Sequence, residues 1–181
     1  MIPIFVIRKQ RKIMKPQDIL ILLKLIVIGQ RDWIYEELAS ELFMSKSEIH
    51  AGIKRAQAAR LINFSAQKTP LRRPLLEFLI HGVKYAYPPK RGSLIRGIPT
   101  AYAAPPLSNA IVFGSEPPPV WPYAEGKVRG YKFTPLYRSV PKAALHDPAL
   151  YELLSLVDAI RDGRVREHHL AVQELTERIS Q

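Results

Sequence analysis

The sequence predicts a mainly helical α+β fold. Apolar residues recur with helical spacing in residues 16–62 and again in residues 148–180, which indicates helices near both ends. Between them, ten of the chain's 16 prolines lie from Pro99 to Pro148, which favours extended chain with short strands. We therefore expect an N-terminal helix-turn-helix, a proline-rich extended middle with short strands, and a C-terminal helical hairpin.

The charge of the chain is strongly positive and unevenly distributed. Its 27 lysines and arginines exceed its 16 acidic residues, and the excess lies in the first 145 residues. Residues 146–181 carry four basic and seven acidic side chains. A hydrophobic content of 47% is enough to build a core, so the sequence predicts a globular protein whose basic body suits a polyanionic partner.

The absence of cysteine excludes disulfides, thiolate zinc sites and cysteine nucleophiles, and makes the cytoplasm the expected location. At the N-terminus a short apolar run precedes the charges, the reverse of a secretory signal, so we expect a basic N-terminal arm over residues 1–15. The helical pattern begins near Met14, which leaves open whether residues 1–13 belong to the native start. Lys24 interrupts the apolar run Ile19 to Ile28, which is too short to span a membrane, so we expect no membrane contact.

The first helix is predicted over Gln17 to Ile28. Pro16 suits a first helical turn, Asp18 favours the positive end of the helix dipole, and Gly29 suits the position after the last turn. The helix is apolar on nearly every face. We expect the helix-turn-helix to cover one side and either the C-terminal part or a second subunit to cover the other, so a homodimer is predicted.

Two short helices joined by a tight turn are predicted between Trp33 and Ile62. Ser45 and Glu48 form an S-x-x-E capping box, which sets the start of the second helix, and Ala39 allows the two helices to approach closely. The face of the second helix opposite its apolar residues is polar and basic, and consists of Lys46, Ser47, His50, Ala51, Lys54 and Arg55. Such a face can contact base edges and phosphates in the major groove of DNA.

The run L-A-S-E-L-F-M-S-K-S-E-I-H-A-G-I-K-R-A, followed by A-A-R-L-I, resembles the winged helix-turn-helix transcriptional regulators of the MarR-like kind. The resemblance covers Pro16 to about Phe64 and implies double-stranded DNA as the ligand of residues 16–69. The sequence departs from the family pattern at Phe43, where many such turns have glycine, and at Ile34, where a Ser or Thr cap is commoner. The alternative is a helical hairpin whose charged face is only solvated.

A small wing is predicted after the second of these helices. Leu61 to Phe64 has the pattern of a short strand, and Ser65 to Pro70 that of a turn. Lys68 at its tip, with Arg72 and Arg73, would contact phosphates or the minor groove. An ordinary basic connection is the alternative.

Residues 70–146 are predicted to form a helix followed by a proline-rich segment that wraps over the N-terminal domain. The helix is expected over Leu75 to His81 and is ended by Gly82, and Val83 to Tyr87 alternates like a strand. An alternative interpretation is that the proline-rich runs are a peptide ligand for another protein.

A helical hairpin is predicted over residues 147–181, for dimerisation or for binding a partner protein. Asp147 and Pro148 suit its cap and first turn. Its first apolar stripe consists of Leu150, Leu153, Leu154, Val157 and Ile160. Its outer face is expected to be acidic, through Asp158, Asp162, Glu167, Glu174 and Glu177.

The sequence contains neither G-x-S-x-G nor a glycine-rich phosphate loop, and the neighbouring His168 and His169 point too far apart on a helix to chelate a metal. We expect no enzyme activity, catalytic residue, metal or cofactor. Two hypotheses of function follow. The first is a sequence-specific double-stranded DNA-binding transcriptional regulator. The second is an antitoxin-like interaction protein that neutralises a partner protein and regulates its own operon.

Overall fold

The fold is given by a computed structural model, which describes residues 13–65, 67–111 and 115–180. Most of the predicted basic arm therefore lies outside the described residues. Eight α-helices are described: α1 (Pro16–Ile28), α2 (Tyr35–Leu42), α3 (Lys46–Ala58), α4 (Arg72–Glu77), α5 (Val83–Ala86), α6 (Val140–His146), α7 (Pro148–Asp162) and α8 (Val165–Ser180). Three strands accompany them: β1 (Arg91–Pro99), β2 (Pro119–Pro122) and β3 (Val128–Phe133). The predicted α+β class, mainly helical, is confirmed.

Helix α1 lies at the centre of the core. Pro16 occupies its first turn and Gly29 follows its last turn with φ 65°, as predicted. The residues from Ile19 to Leu23 are fully buried, because α3 and α7 of the same chain pack against the helix. The apolar surface that motivated the predicted second subunit is therefore covered within the chain, and the homodimer stays a prediction without that support.

The three strands close on themselves. β1 pairs antiparallel with both β2 and β3, and β2 and β3 pair parallel at one end. Glycines allow this close approach, because a Cβ at Gly97 would meet the carbonyl oxygen of Trp121 at 2.0 Å and one at Gly130 would meet that of Pro118 at 2.0 Å. The sheet is therefore fixed by positions where only glycine fits.

The predicted acidic outer face of the hairpin is wrong at Asp158. This carboxylate is 1% exposed and accepts hydrogen bonds from Trp121 Nε1 at 2.6 Å and Thr100 Oγ1 at 2.8 Å. Arg161 Nη1 donates to its other oxygen at 2.6 Å. Burial raises the pKa of Asp158, while Arg161 and the two hydrogen bonds oppose that rise. The network ties the proline-rich middle chiefly to α7, whereas the sequence placed it over the N-terminal domain.

The C-terminal hairpin otherwise follows its sequence pattern. Asp147 Oδ1 accepts the backbone N–H of Leu150 at 3.0 Å, which confirms the predicted cap of α7. The predicted apolar stripe of α7 is buried along its whole length, from Leu150 to Ile160. Gly163 ends the helix, and α8 packs against α7.

Two sequence predictions in the middle of the chain are wrong. Gly82 does not end the helix: a π-helical turn, Phe78–Gly82, connects α4 to α5, so the predicted strand from Val83 to Tyr87 is helical at its start. The helix continues because Leu75, Leu79 and Val83 form one fully buried stripe. Helix α6 was missed, because Pro141 was counted with the proline-rich segment although proline suits a first helical turn.

Within the part of the chain that the structure describes, no helix combines the length and the apolar character needed to cross a lipid bilayer.

Candidate nucleic-acid interface

The turn between α2 and α3 is well defined. Phe43 adopts the left-handed conformation with φ 52°, which glycine adopts more readily, and the backbone N–H of Met44 donates to the carbonyl oxygen of Ala39 at 3.0 Å. Ser45 then caps α3: its Oγ accepts the N–H of Glu48 at 3.2 Å, and Glu48 Oε2 accepts the N–H of Ser45 at 3.0 Å. The predicted capping box is confirmed, and it fixes where α3 begins.

Replacing Ser45 by alanine should lower the free energy of unfolding by about 1 kcal/mol, because the N–H of Glu48 loses its acceptor. Urea unfolding followed by circular dichroism measures this loss. Ser47→Ala is a matched control, since Ser47 is exposed and is the second residue of the same helix. Equal stabilities for the two variants would contradict the capping role.

The inner face of α3 packs directly on α1. A Cβ at Gly52 would meet Ile21 Cδ1 at 2.4 Å, so glycine allows the two helices to touch at this position. Arg55 reaches across the same contact and binds Asp18 through two hydrogen bonds, Nε to Oδ2 at 2.8 Å and Nη2 to Oδ1 at 2.6 Å. Asp18 hydrogen bonding raises the pKa of Arg55. The predicted outward, DNA-facing position of Arg55 is therefore wrong, and Arg55 joins α3 to α1.

The outward face of α3 retains the other predicted residues. Ser47, His50 and Lys54 are exposed, and Ala51 between them is half-buried. Lys46 is also exposed and forms an ion pair with Glu36 of α2. Among the described residues, no carboxylate forms an ion pair with Lys54. The face therefore offers a hydroxyl, an imidazole and an ammonium group to a ligand.

Two residues near the start of α3 were missed by sequence reasoning. The hydroxyl of Tyr137 donates to Glu48 Oε1, which lowers the pKa of Glu48. Arg138 is exposed, lies over the Tyr137 ring at 5.6 Å, and its charge also acts on Glu48. The proline-rich middle thus places a cation beside the capping box. No sequence signal could show this, because Tyr137 lies 89 residues from Glu48.

The predicted wing is reduced to a short loop. The predicted strand over Leu61 to Phe64 is wrong, since only Ile62 pairs, in a single antiparallel bridge with Pro70. The loop is closed by Asn63 Oδ1, which accepts the N–H of Thr69 at 2.9 Å. Two backbone hydrogen bonds flank the bridge, from the N–H of Leu71 to the carbonyl oxygen of Leu61 at 2.8 Å and from the N–H of Asn63 to that of Thr69 at 3.0 Å, and the pairing ends there because the chain turns after Asn63.

Lys68 nonetheless lies beside α3. Its Nζ donates to the hydroxyl of Tyr35 at 2.7 Å and lies 4.8 Å from the centre of that ring. The Tyr35 ring in turn lies 5.6 Å from the ring of His50 on the outward face of α3. The loop therefore adds a positive charge on Tyr35, the ring that contacts His50.

Arg72 and Arg73 have different surroundings. Arg72 Nη1 donates to the carbonyl oxygen of Ile179 at the end of α8, so its guanidinium is engaged inside the fold. The Arg73 side chain is 92% exposed and pairs with Glu77 at 3.4 Å, one helical turn along α4. Ser47, His50 and Lys54 thus lie on the exposed side of α3, with Lys68 on Tyr35 and Arg138 near the capped first turn, whereas Arg55 and Arg72 are engaged inside the fold.

Comparison of the chain with known protein families, with curated proteins and with solved structures gave no match. Among the described residues, no group of three or more His, Asp or Glu side chains is placed to hold a metal ion.

Proposed function

We propose that the protein is a sequence-specific double-stranded DNA-binding transcriptional regulator of the winged helix-turn-helix, MarR-like kind. The observation that carries the proposal is helix α3: it is capped at Ser45, packed on α1 through Gly52, and exposes Ser47, His50 and Lys54 on its other side. A rigid helix that presents short polar and basic side chains has the shape and chemistry to enter a major groove.

The charges around α3 support a polyanionic ligand. The acidic groups nearest its first turn are already occupied, because Glu36 pairs with Lys46 and Glu48 accepts from Ser45 and Tyr137. Among the described residues, Lys54, Lys68 and Arg138 form no ion pair with a carboxylate, although the charge of Arg138 acts on nearby Glu48. Phosphate oxygens can take that place, with release of counterions from the DNA.

The proposal is tested with DNA fragments selected from a random duplex pool by the purified protein. The variants His50→Ala and Lys54→Ala should each weaken binding to the selected duplex by about 1 to 3 kcal/mol where a specific contact is lost. Binding should also weaken steeply with salt, because phosphate contacts release counterions. Fluorescence anisotropy with a labelled duplex measures both effects.

Arg166→Ala is the matched control, since it removes one exposed positive charge from α8 and leaves α3 intact. It should retain the affinity of the unmodified protein. If His50→Ala and Lys54→Ala stay folded and bind as tightly as this control, α3 is not the DNA-reading helix.

Lys68 should contact the phosphate backbone and not the bases. Its ammonium lies on the loop beside Tyr35, and no side-chain amide accompanies it there for bidentate recognition of a base.

A homodimer would present two copies of α3 to half-sites about one helical turn apart. Cytoplasmic location and the antitoxin-like alternative stay predictions. The alternative has less support from the hairpin, since Asp158 is buried and Glu152 and Glu174 pair with Arg178.

A further inference from the structure

A second basic surface lies on the ribbon formed by β1 and β3. In their antiparallel register Leu94 is opposite Tyr131, and Arg96 is opposite Arg129. Residues directly opposite each other point to the same face of a sheet, so these four side chains share one face. Leu94 is 42% exposed and Tyr131 is 44% exposed, and both arginines are exposed. We call this face the ribbon face.

The two arginines of the ribbon face stand directly across from each other. Like charges in this position destabilise a sheet, so the pair costs stability unless an anion lies between or beside them. Among the described residues, neither arginine forms an ion pair with a carboxylate. Glu125, in the turn before β3, is exposed and pairs with neither of them. An external anion is the partner that their positions fit.

The other side of the ribbon is held rigidly. Gly130 alternates with Arg129 and Tyr131 along β3, and its Cα faces the backbone of Pro118 and the side chain of Val120. The N–H of Tyr131 donates to the carbonyl oxygen of Pro118 at 2.8 Å. β2, which follows Pro118, is fixed in turn by the buried hydrogen bond from Trp121 to Asp158. The ribbon face is therefore a preorganised platform and not a loose hairpin.

We propose that the ribbon face binds single-stranded nucleic acid. Arg96 and Arg129 would pair with successive phosphates, and an unpaired base would stack on the exposed ring of Tyr131 beside Leu94. An aromatic ring flanked by cations on a sheet is the combination that single-strand-binding surfaces use. Lys127, directly before β3, is also exposed and adds positive charge near Arg129, whereas Lys132 alternates with Tyr131 and belongs to the opposite side of the strand. This activity goes beyond duplex recognition by α3 and uses none of its residues.

The test uses a fluorescein-labelled single strand of twelve thymidines and a duplex of the same length. Tyr131→Ala should weaken binding to the single strand by at least about fivefold, the lower end of base–aromatic stacking, with little change in salt dependence. Tyr131→Phe should bind as the unmodified protein does, since the ring is kept. Arg96→Gln combined with Arg129→Gln should weaken binding and reduce the slope of log affinity against log salt by about 1.4.

Lys54→Ala is the control, because it alters α3 and not the ribbon face, and it should leave single-strand affinity unchanged. Circular dichroism confirms that each variant is folded. Loss of affinity in the arginine variant with none in Tyr131→Ala would overturn the proposal, because only a surface that attracts anions would remain. The proposal would also be overturned if the ribbon-face variants lost affinity equally for the duplex and for the single strand. If His50→Ala and Lys54→Ala keep their duplex affinity while the ribbon-face variants lose single-strand affinity as expected, only the proposed function is rejected.

Discussion

Replacing Arg55 by alanine is expected to destabilise the protein by about 3 to 5 kcal/mol, which is a large part of the stability of a typical domain. The substitution would leave the carboxylate of Asp18 buried without a counterion. The Asp18 side chain is 0% exposed, and Arg55 supplies the two hydrogen bonds and the positive charge that compensate its burial. The N–H of Lys15, at 2.8 Å, would remain as a donor, but it carries no full charge.

Urea unfolding of Arg55→Ala, followed by circular dichroism, gives the size of the loss. Arg55→Lys should recover only part of it, because an ammonium group cannot make the two parallel bonds of a guanidinium. Lys54→Ala is the neighbouring control on the exposed side and should change the unfolding free energy by less than about 0.5 kcal/mol. A loss below about 1 kcal/mol in Arg55→Ala would show that the ion pair does not hold α3 against α1.

The role of Arg55 in stability affects which variants can be used to measure DNA contacts. A combined Lys54 and Arg55 variant would lose binding partly because α3 shifts or unfolds, and that loss would be mistaken for lost contacts. Lys54 is exposed and reports on the outward face, whereas His50→Ala also removes the contact with the Tyr35 ring, so its binding loss is compared with its unfolding free energy.

The predictions from sequence succeeded where the determining contacts are local. The caps at Ser45 and Asp147 each join a side chain to a backbone N–H three residues later, so both partners are visible in a short stretch of sequence. Gly29 ends α1 through its own positive φ. The buried stripe of α7 follows from the spacing of its own apolar residues.

The predictions failed where the partner is distant in sequence. Helical spacing placed Arg55 outward, but its long side chain reaches past Gly52 to Asp18, which lies 37 residues away. The position of the proline-rich middle depends on Thr100 and Trp121, which lie 58 and 37 residues from Asp158. Strand β1 was not located from the sequence, because its pairing partners β2 and β3 follow a long proline-rich connection. The ribbon face exists only after that pairing.

Replacing Asp158 by asparagine should also cost about 3 to 5 kcal/mol of stability. Asparagine has nearly the same shape, so the loss would come from charge and hydrogen bonding. Trp121 Nε1 and the Arg161 guanidinium can only donate, which favours an ionised carboxylate as their shared acceptor, against the effect of burial on its pKa. In the variant, one of the two oxygens becomes an NH₂ group that faces a donor, and Arg161 keeps a buried charge without its counterion.

Denaturant unfolding at neutral pH measures the loss, and Trp121 fluorescence reports whether the sheet leaves α7 before the helices unfold. Trp33→Phe provides the background in which Trp121 is the single tryptophan, since the chain has two. Glu177→Gln on the exposed side of α8 is the matched control for losing one negative charge, and it should stay within about 0.5 kcal/mol of the unmodified protein. If Asp158→Asn is as stable as this control, the carboxyl group is neutral in the folded protein and its burial, not Arg161, sets its charge. A large loss with early Trp121 exposure would instead show that this one carboxylate joins the proline-rich middle, and with it the ribbon face, to the helical core.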